Sequence, residues 1–123
     1  MELLFESTDK FENDLNQFSD REKSQIVEKL NHRCATLKNG FTTFYRSVVR
    51  PLKIRLRNDF EASLYSLKVN RDIRIILTVD DDPLFDQIII TLMRVVRQHD
   101  LETAFRGIAE SLYQKEINSI SGD

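Results

Sequence analysis

The chain has 123 residues, 41% hydrophobic and 31% charged, which is enough for one buried core and too little for two ordinary domains. Its 18 Lys and Arg against 20 Asp and Glu leave a formal charge of -2, so no whole-molecule field favours nucleic acid, and any such contact has to rest on a local patch. The single Cys34 forms no internal disulfide, and with only His32 and His99 beside it no zinc ligand set, structural metal or other cofactor is expected.

In chain order, Glu2 to Glu6 reads as a short strand, and the acids at Glu2 and Glu6 break any secretory apolar run. No later stretch approaches the roughly 20 apolar residues of a membrane helix, so a soluble cytoplasmic protein with no membrane partner is expected. Ser7-Thr8-Asp9 offers side-chain oxygens to cap a helix carrying Phe11, Leu15 and Phe18 on one face. Ser19 with Glu22 has the spacing of a capping box, and the helix after it carries Ile26, Val27, Leu30, Cys34 and Leu37 before Asn39-Gly40 ends it. The two helices are expected to form an antiparallel hairpin, with Cys34 as a packing thiol.

From Phe41 to Asn58 there is no acidic residue, while Arg46, Arg50, Lys53, Arg55 and Arg57 all fall there. Pro51 stops a helix, and Lys53, Arg55 and Arg57 then alternate with Leu52, Ile54 and Leu56, as in a strand with one charged face. Such a stripe suits phosphate tracking, and it equally suits a solvated sheet edge.

Leu64 to Val69 and Ile73 to Asp80 are strand patterns around the turn Asn70-Arg71-Asp72, and Gln87 to Arg97 is a third, covered on both faces. Asp80-Asp81-Asp82-Pro83 reads as a loop, and its adjacent carboxylates splay apart rather than converge on a metal. Asp100 caps a last amphipathic helix with Leu101, Phe105, Ile108 and Leu112 on its inner stripe. Residues 1–118 are read as one domain and 119–123 as a disordered tail.

The order of strand, helical hairpin and antiparallel strands, with the hairpin Leu64-Tyr65-Ser66-Leu67-Lys68-Val69-Asn70-Arg71-Asp72-Ile73-Arg74 and the run Met93-Arg94-Val95-Val96-Arg97-Gln98-His99-Asp100 before Phe105, resembles the RelE/ParE toxin superfamily. The resemblance implies an α+β fold, a small antiparallel sheet with an N-terminal helical hairpin, here with an added C-terminal helix. It also implies the toxin of a bacterial toxin-antitoxin pair, with an antitoxin protein as partner. In the ribonuclease branch the target is messenger RNA on the ribosome, cut through its own 2′-hydroxyl without a metal. By that resemblance Arg74 matches the family's arginine on the scissile phosphate, Arg97 is a second clamp, and His99 is the acid or base, its ordinary pKa lying near neutrality. Lys68 adds positive charge, and Phe105 stands where the family often has a tyrosine, placed to stack on a base. With Arg46, Arg50, Lys53, Arg55 and Arg57 these complete the expected RNA-binding set. A gyrase-directed toxin of the other branch and a catalytically silent interaction module are the alternatives, and self-association is left open.

Overall fold

Alternating apolar residues at the middle and end of the chain build the sheet on which everything else packs. In the computed structural model residues 2–47, 49–52 and 64–121 are described. Strand β1 (Glu2–Ser7) leads to helices α1 (Asp9–Leu15) and α2 (Asp20–Cys34), a 3-10 turn over Ala35–Asn39 and helix α3 (Phe41–Ser47). Strands β2 (Val49–Leu52), β3 (Leu64–Lys68), β4 (Ile73–Asp82) and β5 (Gln87–Arg97) follow, and a short 3-10 turn leads into helix α4 (Leu101–Ser121).

The five described strands form one sheet in the order β1-β5-β4-β3-β2. The last four pair antiparallel, as expected, whereas β1 joins parallel to β5 with Glu2 opposite Gln87 and Ser7 opposite Leu92. Pro51 falls in β2, an outer strand, where its missing N–H breaks no central ladder. The expected charged strand Lys53, Arg55 and Arg57 lies outside the described residues.

Two apolar layers cover the sheet. On one face Phe11, Phe18, Ile26, Leu30, Cys34, Leu37 and Phe44 pack on Leu67, Ile73, Ile75, Leu77, Ile88, Ile90 and Val95. On the other, Ala104, Phe105, Ile108 and Ala109 of α4 pack on Leu64, Ile76 and Val96. The helix starts follow the sequence closely. Thr8 caps α1 by accepting from the Phe11 N–H at 3.1 Å, and the Ser19–Glu22 capping box is present in both directions. Cys34 is fully buried, and burial pushes its thiol up to about 12, so it is a packing group without thiolate character near neutrality.

Several details depart from expectation. Val27 is half exposed because its neighbour Ile26 takes the inward position on α2. Helix α3 places Phe44 fully in the core, although the sequence reading assigned no element there. Asp80, Asp81 and Asp82 are the end of β4, opposite Ile89, Ile88 and Gln87, and the turn is Pro83-Leu84-Phe85-Asp86, with Asp86 at φ 51°. Helix α4 runs through Ser121, past the point at which the tail was expected to begin, since no Gly or Pro interrupts 108–121.

The ladder between β4 and β5 contains one irregularity that matters for function. Ile76 is opposite Arg94 and Leu77 is opposite Leu92, which leaves Met93 as an extra residue on β5. Strict alternation from Leu92 would put Val95 and Arg97 on the α4 face. The bulge reverses this, so Val95 joins the helical-hairpin core, Val96 joins the α4 core, and Arg97 turns toward α2.

Candidate functional site

The cations expected to act together fall into two groups on opposite faces of the sheet. Arg97 lies on the helical-hairpin face. Its Nη1 donates to Glu22 Oε2 at 2.7 Å and to Asp72 Oδ2 at 2.8 Å, and its guanidinium sits 4.6 Å from the centroid of the Phe18 ring. These bonds raise the pKa of Arg97 further, and the hydrogen bond from Arg97 is the main reason that Glu22 is lowered to about 2. Arg94 is held as firmly. Strand β1 stops opposite Leu92, and at the β5 edge beyond it Asp14 accepts from the Val95 N–H at 3.2 Å. The same carboxylate takes a two-point bond from Arg94, at 2.6 and 3.0 Å. A cleft of about 330 Å³ opens here between Asp14, Phe18, Arg94, Arg97 and Thr103. Its two arginines already face three carboxylates, so it offers little net charge to a phosphate.

Lys68 and Arg74 stand differently. Ile73, Ile75 and Leu77 of β4 face the helical hairpin, so Arg74 shares the α4 face with Ile76. Lys68 is its direct cross-strand partner in the β3–β4 ladder. The turn between them is set by Asn70, whose Oδ1 accepts from the N–H groups of Asp72 and Ile73 at 2.8 and 2.9 Å. The Arg74 guanidinium folds over that turn and donates to the carbonyls of Asn70 and Ile73. Among the described residues neither Lys68 nor Arg74 has a carboxylate at ion-pair distance. Like charges placed directly opposite on adjacent strands repel, which favours an anion between or above them.

The other expected residues are placed as follows. His99 is exposed just past β5, with Nε2 3.4 Å from Asp100 Oδ2, and the bond from Gln98 N–H to Asp72 O at 2.6 Å holds this segment beside the β3–β4 turn. Arg46 is exposed on α3. By backbone register Arg50 is opposite Ser66, two positions along β3 from Lys68. Lys53, Arg55 and Arg57 lie outside the described residues. Phe105 requires correction. It is only 1% exposed, packed in the layer between α4 and the sheet, so it is a core residue and not a stacking platform. Arg97 and Arg74 likewise do not converge, because the Met93 bulge separates them by a face. The carboxylates that decide this, Asp14, Glu22 and Asp72, were missed as partners. Only the Ser19–Glu22 spacing signalled one of them, and that as a cap.

Among the described residues no group of three or more His, Cys, Asp or Glu side chains is arranged to hold a metal, and no helix is long and apolar enough to cross a membrane.

No family model matches the chain, and no curated protein matches it in sequence. Solved structures do match. The chain is similar to YafQ from E. coli at 18% identity and TM-score 0.51, over 79% of this chain and 94% of that one. It is similar to a YoeB/ParE toxin from Agrobacterium tumefaciens at 19% identity and TM-score 0.51, over 80% and 99%. A chain of the archaeal RelE-RelB complex from Pyrococcus horikoshii aligns at 15% identity and TM-score 0.49, over 80% and 97%. The class is therefore a small α+β protein with helices on both faces of a mostly antiparallel sheet. The particular fold is the one shared with YafQ and the YoeB/ParE toxin.

Proposed function

We propose that this protein is the toxin of a toxin-antitoxin pair and that it binds and cuts RNA on the α4 face of its sheet. The observation that carries this reading is the pair Lys68 and Arg74, two cations directly opposed on neighbouring strands with no carboxylate at ion-pair distance among the described residues. A bridging phosphate relieves their repulsion, and its charge grows as the 2′-oxygen attacks phosphorus and the 5′-oxygen departs. The products are a 2′,3′-cyclic phosphate and a 5′-hydroxyl, so the reaction needs one group to take a proton and one to give it. His99, exposed beside the same turn, is assigned one of those roles. The partner under this reading is an antitoxin protein, and the substrate is messenger RNA on the ribosome.

Inducible expression in a bacterial host, with new messenger 5′ ends mapped, tests it. Growth arrest with new cuts that vanish in Arg74→Ala and His99→Ala is the expected result, and cuts unchanged in both variants would remove these residues from the site. A second reading has its own support. Arg97 is neutralised by Glu22 and Asp72 and Phe105 is buried, which fits a partner-binding module without catalysis. Soluble expression with normal growth and intact messengers favours that module. DNA damage without messenger cleavage favours the gyrase-directed branch.

A further inference from the structure

The opposite end of the molecule carries a second surface that the RNA reading does not use. At the β4–β5 turn Leu84 is 83% exposed and Phe85 69%, and Phe5 on β1 is 42% exposed. Leu84 and Phe85 are adjacent in the turn, and Phe5 lies three residues along β1 from Glu2, the residue opposite Gln87. They adjoin an open strand edge. The Glu2 N–H donates to Asp86 O and the Thr8 N–H to Leu92 O, both at 3.1 Å. In this parallel ladder the backbone groups of Glu2, Leu4 and Glu6 therefore face β5, and those of Leu3, Phe5 and Ser7 face outward. Beyond β1 the sheet has no further described strand. The edge has neither proline nor lysine, and its ladder with β5 is unbroken from Glu2 to Ser7, so the usual guards other than acid are missing.

Charge decides what fits there. Glu2 and Glu6 lie on the edge strand, and Asp80, Asp81 and Asp82 lie at the same end of the sheet, opposite Ile89, Ile88 and Gln87. A second copy pairing antiparallel through β1 across a two-fold would set Glu2 of each copy beside Glu6 of the other, like charge against like. A cationic strand would instead meet opposite charge along its length and apolar side chains at the turn.

We propose that the β1 edge and the Leu84–Phe85 turn form a docking surface for an extended, lysine- or arginine-rich segment of another protein, which adds as a sixth strand beside β1. Its backbone pairs with Leu3, Phe5 and Ser7, its cations meet Glu2 and Glu6, and its apolar residues cover Leu84 and Phe85.

The probe is a synthetic eight-residue peptide alternating lysine with isoleucine, compared with the same peptide carrying glutamate for lysine. Amide exchange of the full chain is followed by NMR. The lysine peptide is expected to slow exchange at Leu3, Phe5 and Ser7 and to leave Leu4 and Glu6 unchanged, with binding that weakens as salt rises. The paired change Leu84→Ser and Phe85→Ser should weaken binding by about tenfold or more while the free protein keeps its fold. Phe5→Pro removes an outward-facing donor without touching the β1–β5 bonds, and it should abolish protection of the edge. Equal binding of the glutamate peptide would overturn the charge argument. Amides of Leu3, Phe5 and Ser7 already protected in the free monomer would show the edge to be occupied, and protection that rises with protein concentration alone would show a second copy to be the occupant. Each of these results sinks the proposal without bearing on RNA cleavage.

Discussion

The two faces of the sheet treat positive charge in opposite ways. On the helical-hairpin side Arg94 and Arg97 are each bound by carboxylates from distant parts of the chain, and they act as cross-links between β5, α1, α2 and the β3–β4 turn. On the α4 side Lys68 and Arg74 stand side by side, and among the described residues Arg74 donates to the backbone carbonyls of Asn70 and Ile73. A formal charge near zero thus conceals a division between cations paired with carboxylates and cations that, among the described residues, have none. The lesson is that an arginine near a candidate site counts only after its carboxylates have been subtracted.

Several changes would break or sharpen that contrast, and the largest effect is expected where no charge is involved. Phe105→Ala should destabilise by about 3–5 kcal/mol in denaturant unfolding, as for other buried aromatic truncations, whereas a stacking residue at that position would be lost with little change in stability. Asp14→Ala comes next. It strips the partner from Arg94 and from the Val95 N–H together, and about 2–3 kcal/mol is expected from the same measurement. Lys68→Ala should lie within about 0.5 kcal/mol of the parent and on the stabilising side, since it removes a like-charge neighbour of Arg74. If it destabilises as much as Asp14→Ala, the two faces do not differ as described.

Glu22 gives the same contrast a pH signature. Its carboxyl is lowered from 4.5 to about 2, chiefly by the hydrogen bond from Arg97 and then by the Ser19 backbone N–H. A carboxylate with a depressed folded pKa supports the fold fully above 4.5, and that support fades as pH falls from 4.5 toward 2. Arg97→Ala should therefore raise the Glu22 pKa partway back toward 4.5 in an NMR titration, and it should flatten the stability profile across that acid window. An unmoved Glu22 would show that the cap alone holds it.

Local signals in the sequence were legible where a short segment decides its own shape. Thr8 and Ser19 mark helix starts because each side chain bonds an amide three residues on, and Asn70 marks the β3–β4 turn for a similar reason. At Asp80–Asp82 turn-like composition lost to pairing with Ile89, Ile88 and Gln87 of β5. Phe41, Phe44 and Tyr45 have helical spacing that signals α3, but the segment is only seven residues long and the strand that holds Pro51 begins at Val49. The bulge left no mark at all. Between Ile88 and Val96 the strand is apolar on both faces, so nothing in the pattern shows where one residue drops out of alternation. That is why Arg74 and Arg97 looked like neighbours.

The parallel pairing of β1 with β5 also sets the order in which the molecule can assemble. Thr8 Oγ1 donates to the carbonyl of Met93, 85 residues further along, and the β1–β5 ladder spans the same distance. Leu3, Leu4 and Phe5 are made before their partners and can pair only after Ile88 to Ile90 have been made. Until then β1 lacks its partner strand, so completion of the sheet is a late, slow contact of high sequence separation, and chains cut short before β5 have no strand for β1 to join.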